Sequence, residues 1–181
     1  MPALPIKDMG PCEIVWGYGE SGAINLGPFL GASTYKGETN VQDILEERYG
    51  DAAVDGIMTG TVATLELSMT RSTYLQLNEV LNAQYTSGQV MRLRNQLGCE
   101  MYDIAKQVVV KPICDGEIST DPAEWVHIYE AYPVPGWELV WDKSTQRVFP
   151  ILFKIFVSQE SGKEGDFGTL GMESGSSELG I

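Results

Sequence analysis

Positive charge is what this chain has least of: 12 Lys and Arg stand against 25 Asp and Glu over 181 residues, a formal net charge of −13. Surfaces that grip polyanions need clustered cations, so the deficit excludes a conventional nucleic-acid-binding face. It leaves open a channel that nucleic acid passes without sticking. Cysteine is nearly as scarce. Cys12, Cys99 and Cys114 are an odd number with no CxxC pair, which argues against a disulfide scaffold and a cysteine-rich zinc site. Each reads as an isolated thiol in apolar surroundings. The lone histidine, His127, has no second histidine to complete a multi-histidine metal site. It lies between Val126 and Ile128 in a strand pattern and reads as an ordinary surface or interface residue. No stretch approaches the roughly 20 apolar residues of a membrane span, and a basic-then-apolar signal is missing. No metal, cofactor or membrane is expected.

What is there points to strands. Hydrophobic residues make up 43% of the chain, enough for a core. Residues 1–11 hold three prolines and read as an N-terminal arm. Short extended pieces follow on either side of a glycine-rich bend at 17–22. Residues 33–48 read as strands around a Lys36-Gly37 turn, with 42–50 also able to form two helical turns. From 61 to 70, Ala63, Leu65, Leu67 and Met69 alternate with Thr64, Glu66, Ser68 and Thr70, the period of a strand with one face on a core. The period then changes. Tyr74, Leu77, Leu81 and Tyr85 share a helical face, Thr73 and Gln76 have capping-box spacing, and Gly88 is a stop, which predicts a helix over 73–85.

Strand signals return at 104–111 and 125–132, then in a closing hairpin of 137–141 and 147–157 around a turn at 142–146. In its last strand Phe149, Ile151, Phe153 and Ile155 fill one face while Val148, Leu152 and Phe156 occupy the other, so both faces need cover. Residues 158–181 contain six glycines, five serines, five acids and one lysine, and read as a flexible tail. The residues thus describe a mainly β domain over 12–157 with one helix and mobile ends.

Candidate chemistry is thin. Gly17, Gly19 and Gly22 satisfy GxGxxG, with Glu38 sixteen residues on, but Gly27 and Pro28 deny the motif its helix, so a bend between strands is expected. The six acids between 38 and 55 lack the spacing of a calcium loop and read as a solvated surface. Trp125, Trp137 and Trp141 fit a core or interface better than a stacking platform. Nothing amounts to an active site, and the chain reads as a non-enzyme.

The order of these features resembles the tail tube proteins, or major tail proteins, of long-tailed, siphovirus-like bacteriophages. The resemblance is carried by the early strand and glycine bend at 13–22, the polar segment 33–48, GIMTGTVATLELSMT at 56–70, and the helix that follows directly. The closing WELVWDKSTQRVFPILFKIFVS carries most, especially Arg147-Val148-Phe149-Pro150 leading into Phe153 and Lys154. Together these span roughly residues 12–157.

The resemblance implies a β-sandwich flanked by one α-helix and an extended loop, six copies of which join their inner sheets into a continuous β-barrel. The hexameric rings stack into a hollow tube in the virion tail, assembled in the host cytoplasm. DNA is transient cargo in its lumen, and tape measure, tip and terminator proteins are partners. On this reading Lys36, Asp43, Glu46, Glu47 and Arg48 are candidate inter-ring or lumen contacts. Phe149, Ile151, Phe153 and Ile155 are a candidate subunit-interface strand. A tail terminator or head–tail connector is the nearest alternative. A β-rich carbohydrate-binding module using Trp137 or Trp141 is a more distant one.

Overall fold

The alternation at 61–70 and in the last strand sets the frame of the molecule. A computed structural model describes residues 10–29, 31–45, 47–49, 52–70, 73–80, 84–86, 90–92, 98, 100–134 and 148–171. Residues 1–9 of the expected arm, Glu46, Leu81, Gly88, Cys99, the hairpin strand 137–141 with its turn 142–146, and residues 172–181 lie outside them.

Strands β1 (Cys12–Trp16) and β2 (Ile24–Asn25) form a hairpin around the glycine bend. Gly17 and Gly19 have φ of +74° and +83°, a conformation that costs glycine little. The GxGxxG spacing therefore serves a turn, and a strand follows it instead of a helix. β3 (Thr34–Leu45) is one unbroken strand of 12 residues, with no turn at Lys36-Gly37. Gly37 is held in a ladder opposite Ala63, so pairing overrides the local weakness of glycine. A 3-10 turn, Glu47–Tyr49, leads into β4 (Ala53–Met69), which is 17 residues long.

Helix α1 spans Tyr74–Val80. Its start follows the capping box: Thr73 N donates to Gln76 Oε1 at 2.8 Å, and Gln76 N donates to Thr73 Oγ1 at 3.3 Å. Its end does not follow the periodicity. Tyr85 belongs to β5 (Gln84–Thr86), which pairs with β6 (Val90–Arg92). Short helices are marginal without packing, and tyrosine and threonine suit a strand.

The remaining strands are β7 (Lys106–Cys114), β8 (Glu117–Ile118), β9 (Val126–Val134), β10 (Phe149–Phe156) and β11 (Gly168–Leu170). All pairings are antiparallel. The main sheet runs β2-β1-β7-β9-β10-β4-β3, with β8 on β7 and β11 on β9. This corrects the expected sandwich completed by a continuous inner barrel. The sheet is open: β2 and β3 end its path at opposite edges and do not pair, whereas a barrel requires its first and last strands to hydrogen-bond.

A single sheet can still wrap a core by coiling. β1 and β10 are three strands apart, about 14 Å at the usual strand spacing. Yet the rings of Trp16 and Phe153 lie 6.3 Å apart, and Trp16 Nε1 donates to Ala131 O at 3.4 Å. The concave face buries Ile14, Leu65, Leu67, Met69, Val108, Ile128 and Phe153, and Leu77 and Val80 of α1 pack against it. Residues 158–171 extend the fold beyond the expected boundary at 157. β10 leaves β9 after Phe156, loops out, and returns as β11 against Val126–Ile128. Ser158 is buried, its N–H donating to Asp166 O at 2.8 Å and its carbonyl accepting from Gly165 N at 3.0 Å. Backbone pairing, for which glycine-rich sequence carries no signal, holds this segment.

Candidate assembly interface

β3 and the first ten residues of β4 form a ribbon that leaves the body of the protein. β4 pairs with β10 only from Ala63 to Met69, while its pairing with β3 continues out to Leu45 opposite Ala53. Beyond Ala63 every described residue of the ribbon is exposed. The outer edge of β3 and the β10-side edge of 53–62 pair with no other described strand. From Gly37 to Leu45 the ribbon is about 26 Å long at the usual rise per strand residue.

Two irregularities shape this arm, between Asn40 and Val41 and between Ile44 and Leu45. At each, β4 has one residue more than β3: Thr59 at the first and Val54 at the second. An extra residue reverses the facing of everything beyond it. Gly60, at φ +149°, accommodates the first. Counting through the register, the core-side face continues from Ala63 through Thr39 and Thr61, then Val41 and Met58, then Leu45 and Ala53. The opposite face carries Lys36, Glu38 and Val62, then Gln42 and Ile57, then Ile44 and Asp55. The Thr39 and Thr61 hydroxyls meet at 3.1 Å, as directly opposed residues on one face do.

Apolar exposure concentrates here. Of the fourteen large hydrophobic side chains exposed among the described residues, Tyr35, Val41, Ile44, Leu45, Val54, Ile57, Met58 and Val62 are on the arm. Met58 is 78% exposed, the most of all. A clustered apolar surface of this kind marks a contact site. Near the arm's base, partial burial raises the Tyr35 phenol above its ordinary value.

The charged residues singled out from sequence are strung along the arm and do not converge. Lys36, near the base, pairs with Glu38, whose hydrogen bond and charge raise the lysine's pKa. Asp43 stands opposite Gly56 near the far end. Glu47 and Arg48 are exposed in the 3-10 turn at the tip. About 30 Å of strand separates Lys36 from Leu45, just before that tip. The four apolar residues expected at a subunit interface are elsewhere: Phe149, Ile151, Phe153 and Ile155 are buried in the chain's own core. The opposite face of β10 exposes Leu152, while the ring of Phe156 meets Tyr102 edge-on at 6.2 Å.

Sequence reasoning passed over the arm's apolar residues. The signal was present in the β-branched and aliphatic side chains at 41, 44, 45, 54, 57 and 62, but acids on either side gave the segment a polar look. Chemistry elsewhere is sparse. Cys12 is half-buried, with its thiol pushed up by burial, and Cys114 is exposed and unpaired. Among the described residues no three His, Cys, Asp or Glu side chains are grouped to hold a metal ion. No described helix is long and apolar enough to cross a membrane. No protein-family model matches the chain, and neither does any curated protein.

Proposed function

We propose that this protein is a structural, non-catalytic subunit that assembles with copies of itself through the β3–β4 arm, and that the assembly is the tail tube of a long-tailed bacteriophage. The arm carries the reading. A two-stranded ribbon is marginal in water by itself, and exposed strand edges are either shielded or used. This one has no proline along 34–45 and, among the described residues, no covering element, and it displays apolar side chains on both faces. A domain of this length has a radius of gyration of about 16 Å, so an arm of about 26 Å reaches well onto a neighbour. Repeated head-to-tail contact of that kind generates rings and stacks.

In the proposed tube, six-fold rings stack and the arm bridges adjacent copies. The acidic surplus of −13 suits a conduit that repels phosphate, with DNA as cargo. Tape measure, tip and terminator proteins would meet the tube at its lumen and ends, in the virion. Negative-stain microscopy of the purified full-length chain over a concentration series tests the reading. Hollow filaments of stacked rings are expected. The double substitution Val41→Asp with Met58→Asp, on the core-side face of the arm, should leave the circular dichroism spectrum unchanged and abolish filaments. A chain that stays monomeric at the highest concentration would sink the proposal, and single closed rings would favour a terminator.

A further inference from the structure

On the convex side of the sheet, three rings and one ammonium gather over β7 and β9. His127 stands opposite Val109 of β7 and Thr169 of β11. Tyr18 reaches over from the glycine bend, with its ring edge-on to Trp125 at 5.8 Å and to His127 at 6.3 Å. Trp125 and His127 are 5.9 Å apart. The Lys111 ammonium lies 4.3 Å from the Trp125 ring centre and 5.0 Å from that of Tyr18. Trp125 is only 7% exposed, with its Nε1 donating to Ser119 O at 3.0 Å, and Val109 is fully buried. The cation thus rests on fixed aromatic faces, an arrangement that stabilises positive charge.

We propose that Lys111 and His127 compete for this one aromatic cation site, so that protonating His127 drives the Lys111 ammonium out of the cage into solvent. Which partner moves follows from their attachment. His127 is fixed by strand pairing on both sides, whereas lysine carries its charge on a flexible four-carbon stem. The carboxylates on the neighbouring elements are engaged elsewhere: Glu13 of β1, in register opposite Lys111, accepts from Asn25 Nδ2, and Glu20 of the bend pairs with Lys106. β7 contributes Lys111 itself, the bend also contributes Tyr18, and β11 contributes Thr169. Tyr129, next along the same face of β9, is topped by the Lys163 ammonium at 4.9 Å. Ser119 Oγ donates to Glu124, and no described carboxylate forms an ion pair with Lys111. Burial first, and then the Lys111 charge, hold the imidazole below its ordinary value of 6.5, so the cage belongs to lysine at neutral pH. Acid then places a free ammonium on the surface over β7, on a molecule otherwise dominated by carboxylates. The switch does not depend on the assembly proposal.

Because the chain has one histidine, its imidazole resonance is unambiguous by NMR. Titrating the full-length protein from about pH 8 to about pH 5 covers the range in which a histidine changes charge. The Lys111 ε-methylene signals should start shifted upfield by the rings and move to solvent positions with the same midpoint as His127. In His127→Asn they should stay upfield throughout, and in Lys111→Met the His127 midpoint should rise. Lys111 signals that hold still while His127 titrates would overturn the proposal. So would a His127 midpoint at or above 6.5, or one that Lys111→Met leaves unchanged.

Discussion

Two neighbours in β10 show how the surroundings of one residue decide its weight. Phe153 has no exposed surface, while Leu152, beside it in sequence, is 40% exposed. That alternation was legible in the sequence because a strand reports its two faces at period two. The surroundings of His127 were not, since Tyr18 comes from the bend after β1 and Lys111 from the paired strand β7. They give the stability of the protein a pH dependence with a definite sign. Folding lowers the His127 pKa, so the unfolded chain takes the proton first. The contribution is complete above 6.5 and is lost as the pH falls toward and through the folded value. Glu130 works the other way. Burial, then repulsion from Glu160 and Glu20, raises its carboxyl from 4.5, so its protonation favours the folded state as the pH falls toward 4.5. In urea unfolding between pH 7.5 and pH 5.5, His127→Asn should flatten the loss of stability seen in the parent.

Among the elements, α1 depends most on a local device. Gln76 accepts from Thr73 N, and its amide also donates to Asn25 O at 2.7 Å and to Gly27 O at 3.1 Å. It thereby closes the helix start and ties the helix to the segment after β2. Thr73→Ala removes the cap alone, for about 1 kcal/mol. Gln76→Ala removes all of these hydrogen bonds, two of them to the carbonyls of Asn25 and Gly27, and should cost about 1–2 kcal/mol. Equilibrium denaturation of the two variants checks the order. The helix start could be read because a capping box is a local pattern. The helix end could not, because the hydrophobic spacing continued to Tyr85 while strand pairing claimed that residue. In the arm, the alternation at 61–70 extrapolated toward residue 53 puts Ile57 on the core-side face. The bulge at Thr59 puts Met58 there instead.

For the whole molecule, a segment late in the chain completes the sheet. β11 covers the edge of β9 that β10 abandons, and Phe167 packs against the core. Ending the chain after Val157 removes that ring and bares the strand edge. Losing the half-buried ring alone should lower stability by about 2 kcal/mol. The midpoint of urea unfolding should fall accordingly, and the bared edge should promote aggregation at the same concentration. If the midpoint stayed the same, residues 158–171 would be an appendage to the fold. Composition pointed to that outcome, since glycine, serine and acids carry no core signal. Backbone hydrogen bonds are nearly blind to composition, and they hold this segment in place.

Local pattern was enough for the β class, the position of the helix start, the inward faces of β4 and β10, and the glycine bend. Each rests on interactions between residues a few positions apart, through strand period, capping spacing or positive φ. Which strands meet in three dimensions settled the rest: the sheet stays open, β3 and β4 run on past the core as an arm, and Phe149, Ile151, Phe153 and Ile155 are used within the chain. It likewise decided the company of His127. These features depend on which strands become neighbours and on single-residue shifts in their pairing, and a period of two is the same whichever neighbour a strand finds.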